Sequence, residues 1–339
     1  MLRIYDRLPE GFLQAKPRQL ERVLGGPSLI HLPGLRQAPL FVSVLLHGNE
    51  TTGIDAIQAV LRHYRQRPLP RALSLFVGNV SAARHGLRRL DGQPDYNRIW
   101  PGGDPPDCPE ARMAAEVVEI MRRRRVFASI DVHNNTGLNP HYGCINRLEG
   151  PFLYLASLFA HTIVYFIRPR GVQSLAFAEL CPAVTLECGQ AGSALGAEHA
   201  RDLIEAGLHL AEIPDHPATA ELGVYHTVAT LRVAEGCSFG FGDDSAQLRL
   251  LEDLEQLNFH ELPTGTALAR VSADCESCIR VEDEQGRDAT SRYLRVEAGE
   301  VRTRRHVMPA MFTHDLRVIR QDCLGYFMER LPLDQPVVS

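Results

Sequence analysis

In Pro39-Leu40-Phe41-Val42-Ser43-Val44-Leu45-Leu46-His47-Gly48-Asn49-Glu50, an apolar run ends abruptly in an imidazole, a Gly-Asn turn and a carboxylate. An apolar, β-branched stretch of this length bounded by turn formers predicts a buried strand over Pro39–Leu46. Thr51 and Thr52 follow and can cap a helix. The spacing of Ile54, Ile57, Val60 and Leu61 predicts that helix over Gly53–Arg67. His47 and Glu50 therefore flank a tight turn on the rim of a sheet, at a strand C-terminal end, where open α/β sheets put their sites. Both are potential metal ligands; a capped loop with a solvated carboxylate is the ordinary alternative.

Working outward, Ser28–His31 reads as a strand paired with Pro39–Leu46, and Ala72–Val77 as another strand. Ser81–Pro109 is long, irregular and rich in Gly, Pro, Asp and Arg, and loops of that length inside a domain are usually functional. A helix is predicted over Glu110–Arg124, then a strand over Val126–Val132 that ends in His133. Pro151–Ile167, interrupted by His161 and Thr162, reads as a buried helix followed by a buried strand, being marginal for a membrane span. Ala183–Leu186 is a short strand closing on Glu187, and a helix follows over Ala197–Glu212. Strands interleaved with helices predict an α/β, three-layer domain over residues 1–217. After Pro217 the composition changes. Tyr225–Val233, Ala267–Val271, Cys278–Glu282, Tyr293–Val296 and His306–Phe312 predict a smaller β-rich domain over residues 218–339, with one charged helical segment at Ser245–Leu257.

A net charge of −5 gives no support to nucleic-acid binding. The basic run Arg122–Arg125 closes a predicted helix, where cations complement the dipole. Met1–Glu10 is charged and lacks the apolar core of a secretory signal. The eight cysteines are scattered, and Cys275-Glu276-Ser277-Cys278 is a single pair with no second one nearby, so reduced thiols are expected rather than a four-thiolate zinc site. A cytoplasmic protein without nucleic-acid or membrane partners is expected; the oligomeric state is left open.

Three predicted strand ends of the first domain carry metal-type or base-type side chains: His47 with Glu50, His133, and Glu187. A catalytic zinc takes three protein ligands and keeps one position for water. His47, Glu50 and His133 supply two imidazoles and a carboxylate, and zinc lowers the pKa of its water to roughly 7. Glu187 could then accept the water's proton and pass it to a leaving amine.

His47-Gly48-Asn49-Glu50, then Asp131-Val132-His133, then Thr185-Leu186-Glu187 resemble the zinc carboxypeptidase superfamily, and within it the succinylglutamate desuccinylase/aspartoacylase family. Asp95-Tyr96-Asn97-Arg98-Ile99-Trp100-Pro101-Gly102, inside the long loop, is similar to a further motif of that family, and Gly78-Asn79 with a later arginine matches as well. The resemblance implies a zinc-carboxypeptidase-like fold with a mixed sheet and one zinc held by His47, Glu50 and His133, with Glu187 as general base. It also implies Arg88 as the group that polarises the scissile carbonyl, and Asn97 and Arg98 as the pair that holds a substrate carboxylate, for which a guanidinium fork is well shaped. Asp131, two residues from His133 on one strand face, is expected to steady either that histidine or the neighbouring loop. Tyr96 replaces the usual Leu, and the lengthened interval before Asn97 leaves Arg88 and Arg89 as alternatives. The expected activity is hydrolysis of the amide bond in a small, carboxylated N-acyl amino acid. The alternatives are a metallocarboxypeptidase or peptide amidase on the same site, or a family member that binds a carboxylate without catalysis.

Overall fold

The computed structural model of the protein describes residues 1–219, 221–242, 245–272 and 278–332. They form two compact units. Among the described residues, one comprises 1–134 and 141–223, and the other comprises 135–140 and those from 224 to 332.

The first unit begins with β1 (Arg3–Tyr5), a short 3-10 turn and α1 (Leu20–Leu24), followed by β2 (Ser28–Leu32), β3 (Gly34–Val44), α2 (Thr52–His63) and β4 (Leu69–Val77). Next come α3 (Val80–His85), α4 (Pro109–Arg123), β5 (Ala128–Asn135), β6 (Tyr142–Ile145), α5 (Gly150–Ser157) and β7 (Thr162–Tyr165). It closes with α6 (Gln173–Ala178), β8 (Ala183–Gln190) and α7 (Ala194–His209). The strands lie in the order β1-β2-β4-β3-β5-β8-β6-β7. β3 runs parallel to both β4 and β5, whereas β2 is antiparallel to β4 and β8 to β6. This is a mixed α/β sheet, with α7 packed on α2, β3, β4 and β8. The pairing expected between β2 and β3 is not formed, because β4 lies between them. The β3-α2-β4 connection returns β4 parallel to β3, and β2 fills β4's other edge.

β3 starts earlier and stops sooner than its apolar run suggested. Leu45, fully buried, takes a left-handed φ of 55°, a conformation that costs a non-glycine residue on the order of 1 kcal/mol or more and turns the chain out of the sheet. Gly78 and Asn79 hold that turn, donating to the carbonyls of Val44 (3.0 Å) and Leu45 (2.6 Å). His47 thus stands three residues beyond the last strand residue. His133 and Glu187, expected just past strand ends, lie inside β5 and β8. Neither Thr51 nor Thr52 caps α2 with its side chain; Asn134 Oδ1 accepts from the Thr52 N–H at 3.2 Å instead.

Residues 86–108 contain no helix or strand, yet the stretch is anchored. Trp100 is 1% exposed and meets Phe76 and Phe177 edge-on at 5.7 and 6.0 Å, while Phe177 stacks on Phe41 at 4.3 Å. Its indole N–H donates to the Tyr96 carbonyl (2.8 Å), so the aromatic body is buried without an unpaired donor.

The second unit is β-rich. It contains β9 (Gly223–Val233), β10 (Phe239–Phe241), β11 (Leu248–Leu250), β12 (Ala267–Val271), β13 (Ile279–Asp283), α8 (Thr290–Tyr293), β14 (Leu294–Glu297), β15 (Glu300–Thr303), β16 (Met308–Ala310), α9 (Leu316–Gln321) and β17 (Gly325–Leu331). β17 pairs antiparallel with β9 and β16, and β13 takes β9's other side, while β10-β11-β12-β15-β14 form a five-stranded sheet. Leu231, Val281, Leu268, Tyr293, Phe312 and Phe327 are in its core. The helix expected over Ser245–Leu257 is instead β11 and a one-turn 3-10 helix. Leu248, Leu250 and Leu254 are all buried, a two-residue period followed by a turn rather than one continuous helical stripe. Cys275 lies outside the described residues, and Cys278 is a disulfide cysteine, not the reduced thiol expected.

Candidate functional site

The turn after β3 works only with glycine at position 48. A Cβ there would stand 2.3 Å from the Ala83 backbone nitrogen, while the Gly48 N–H donates to the Arg88 carbonyl (3.0 Å). This close approach of α3 and the following loop folds His47 and Glu50 inward, and both are 3% exposed. β5 brings His133, also 3% exposed, to the same place.

Glu50 is the meeting point. Its Oε1 lies 2.7 Å from His47 Nδ1, and its Oε2 lies 2.7 Å from His133 Nδ1 and accepts the Asn134 N–H at 3.1 Å. The two imidazoles stand 5.1 Å apart, centroid to centroid. One donor atom from each of His47, Glu50 and His133 falls within 4.8 Å of the others, the only such group of metal-type ligands among the described residues.

Each histidine is braced from behind. His47 Nε2 lies 2.9 Å from Asp95 Oδ1, and His133 Nε2 lies 2.9 Å from Asp131 Oδ2. Asp131 is in turn fixed by the Ser43 hydroxyl, which donates to its Oδ1 at 2.6 Å. A neutral ring whose Nε2–H donates to a carboxylate would offer Nδ1 as the lone-pair nitrogen to a metal, the arrangement in which histidines commonly bind metals. Two histidines and one glutamate are also a donor set of catalytic zinc sites, so the residues present fit a zinc ion.

The electrostatics follow from burying opposite charges together. Burial alone would raise the Glu50 carboxyl, but His47 and His133 overturn that and hold it below the ordinary range. Burial would likewise raise Asp95; His47 and Arg88 hold it well below its usual value. Burial lowers the proton affinity of His133, yet Asp131 and Glu50 win and raise it well above normal. At Glu187 burial prevails instead. Burial pushes its carboxyl up to about 7, against the opposing pull of His133.

Arg88 and Arg89, alternatives in the sequence, are separated here. The Arg88 guanidinium reaches Glu50 Oε1 (3.3 Å) and Asp95 Oδ2 (3.4 Å), whereas Arg89 donates to the Gln93 carbonyl (3.1 Å). Asn97 and Arg98 are tied to the same corner, because Asp95 accepts the Asn97 N–H on its side chain (2.8 Å) and the Arg98 N–H on its carbonyl (2.9 Å). Arg98 Nη1 donates to the Asn97 carbonyl at 2.8 Å.

Two contributors escaped sequence reasoning. Asp95 stands at the head of the loop motif, and the need of a buried His47 for a partner on its second nitrogen was the available signal. Asn134 donates both to Thr52 Oγ1 (2.8 Å) and to the Gly189 carbonyl (2.9 Å), joining the ends of β5, α2 and β8; nothing local in the sequence announces that.

A model of the succinylglutamate desuccinylase/aspartoacylase catalytic domain matches residues 39–212, just over half of the 339-residue chain. The succinylglutamate desuccinylase of Burkholderia lata is 35% identical over 95 residues, 27% of this chain and 26% of that protein. The corresponding protein of Burkholderia orbicola is 38% identical over 85 residues, 24% of each chain. The chain therefore spans about a quarter of the length of the curated relatives it matches. Among solved structures, the succinylglutamate desuccinylase of Chromobacterium violaceum superposes with a TM-score of 0.57 at 19% identity, covering 88% of this chain and 87% of that one. Murine aminoacylase 3 gives a TM-score of 0.54 at 15% identity, covering 87% and 96%. At these identities the likeness is one of fold.

Proposed function

The chain belongs to the succinylglutamate desuccinylase/aspartoacylase family, and from that premise we propose that it is a zinc-dependent hydrolase cleaving the amide bond of a small, carboxylated N-acyl amino acid. The observation that carries this reading is the convergence of His47 Nδ1, His133 Nδ1 and Glu50, in the same site as a Glu187 carboxyl whose proton affinity lies near neutrality. Zinc, when bound, supplies a Lewis acid and a water of pKa roughly 7.

His47, Glu50 and His133 would hold the ion, with Asp95 and Asp131 fixing the two rings. Glu187 accepts a proton from the attacking water and returns it to the leaving amine, a task suited to a group that titrates near the working pH. The Arg88 guanidinium stabilises the oxyanion that develops on the scissile carbonyl. Asn97 and Arg98 take the substrate carboxylate. A cytoplasmic location is part of the proposal; the disulfide at Cys278 does not speak for it.

The test is elemental analysis of the purified protein followed by a screen of N-acyl amino acids, with amine release as the readout. A zinc-loaded preparation that hydrolyses none of a broad panel refutes the reading. For the substrate carboxylate, Arg98→Lys keeps the charge but loses the planar fork. Loss of a charge-assisted hydrogen bond is worth roughly 1.5–3 kcal/mol, so kcat/KM should fall by about ten- to a hundred-fold. The variant should also discriminate less than wild type against the carboxamide analogue. Equal losses on acid and amide would make Arg98 a loop-holding residue.

A further inference from the structure

Asn97 and Arg98 sit on a stretch without helix or strand, so their position must be fixed from outside it. One short segment does this. The Trp100 N–H donates to the Gly171 carbonyl at 2.9 Å, and the Gln173 N–H donates to Asn97 Oδ1 at 3.2 Å. The Arg98 carbonyl lies so close to Gly171 that a Cβ there would be 2.6 Å from its oxygen, and Gly171 has a φ of +75°. Residues 171–173 therefore form a cradle for residues 97–100.

The cradle is itself pinned. Gln173, 0% exposed, extends its side chain to Ser129, also 0% exposed, and Nε2 donates to Ser129 Oγ at 2.7 Å. Ser129 is on β5, on the same strand face as Asp131 and His133. Gln173 thus links the loop that carries Asn97 and Arg98 to the strand that carries His133, four residues or roughly 13 Å along the strand. Its backbone N–H has a second effect. An amide side chain has one accepting and one donating end; with Oδ1 of Asn97 engaged by Gln173, the Nδ2 donor is the end left for a ligand.

We propose that Gln173 is a positioning residue of the site, setting both the orientation of the Asn97 amide and the distance of the Asn97–Trp100 stretch from the His133 strand, so that a donor pair suited to an anionic substrate group is presented. Its ligand side rests on the reading of Asn97 and Arg98 as the carboxylate-binding pair; its mechanical side does not.

The chain's single tryptophan, Trp100, lies in the cradled stretch and reports on it directly. In Gln173→Ala, acrylamide quenching of Trp100 should increase at least twofold, with circular dichroism and bound-metal content unchanged. KM for N-succinyl-L-glutamate, or for whichever N-acyl amino acid is turned over, should rise about tenfold, as expected when a charge-assisted contact is misaligned. Its kcat should change little, and KM for the carboxamide analogue should hardly move. A merely structural role would lower stability without this split between substrates. If Gln173→Ala does not fold, Ser129→Ala removes only the accepting hydroxyl and should give the same changes at reduced size. Unchanged quenching in a folded variant overturns the proposal. A wild type that treats acid and carboxamide alike refutes the carboxylate reading instead, and the quenching alone then decides for Gln173.

Discussion

His47 Nε2 lies 2.9 Å from Oδ1 of Asp95, a residue 48 positions further along the chain, while the Nδ1 of the same ring faces Glu50. The contact fixes the tautomer and the orientation of a side chain proposed to bind zinc. Carboxylates that brace a ligating histidine typically contribute ten- to a hundred-fold in metal affinity. Asp95→Asn keeps the shape and loses the charge, so zinc affinity should fall within that range. Chelator competition measures it, and an affinity equal to wild type would mean that Asp95 does not act on the ring.

His133→Ala should lose most of its bound zinc while retaining its far-ultraviolet spectrum. Open catalytic sites generally contribute less to folding than closed structural ones, and the aromatic cluster of Phe41, Phe76, Trp100 and Phe177 does not include this residue. Metal analysis decides it. A full equivalent of zinc in the variant would remove His133 from the ligand set.

Glu187→Gln should keep zinc and lose about a hundred- to ten-thousand-fold in turnover, the usual cost of losing a general base. The sign of the pH dependence follows from the role. The carboxyl must be ionised to accept a proton, so activity rises as pH increases through its pKa. Burial places that pKa near 7, and a dication beside it would pull it lower. The acid limb of kcat/KM in wild type should therefore lie at or below about 7 and be missing from the residual activity of the variant. A variant that loses zinc but keeps its rate per bound metal would make Glu187 a ligand.

Acid stability should carry the signature of His31. Its Nδ1 sits 2.9 Å from Ser74 Oγ between β2 and β4, and burial, helped by Arg124, lowers its pKa to about 4. The unfolded chain takes up this proton near 6.5. Between those values the unfolded state binds more protons, so the contribution is fully present above about 6.5 and is lost as pH falls toward 4. Chemical denaturation across that window should show wild-type stability falling more steeply than that of His31→Gln. Parallel curves would show that the imidazole titrates alike in both states.

The placement of His47 and Glu50 was legible because it is local. Three residues around a Gly-Asn turn leave the backbone few ways to run, and the strand before and helix after announce themselves by period. The same holds for the helix α4 and for the β5 run leading to His133, whose apolar faces are written in consecutive residues. Even there the last strand residue was misplaced, since nothing in the composition of Leu45 foretells a left-handed φ imposed by hydrogen bonds from Gly78 and Asn79.

What only the tertiary structure decided are the pairings between distant segments. Strand order put β4 between β2 and β3; Arg88 rather than Arg89 turned toward Glu50; Asp95 came to brace His47; and the cradle at Gly171–Gln173 fixed a loop that on sequence alone had no reason to be ordered. Each of these depends on which surfaces bury one another. That choice is set by packing across the whole unit, in which Trp100 seats against Phe76 and Phe177, while the sequence by itself determined the local elements and the residue types at their turns.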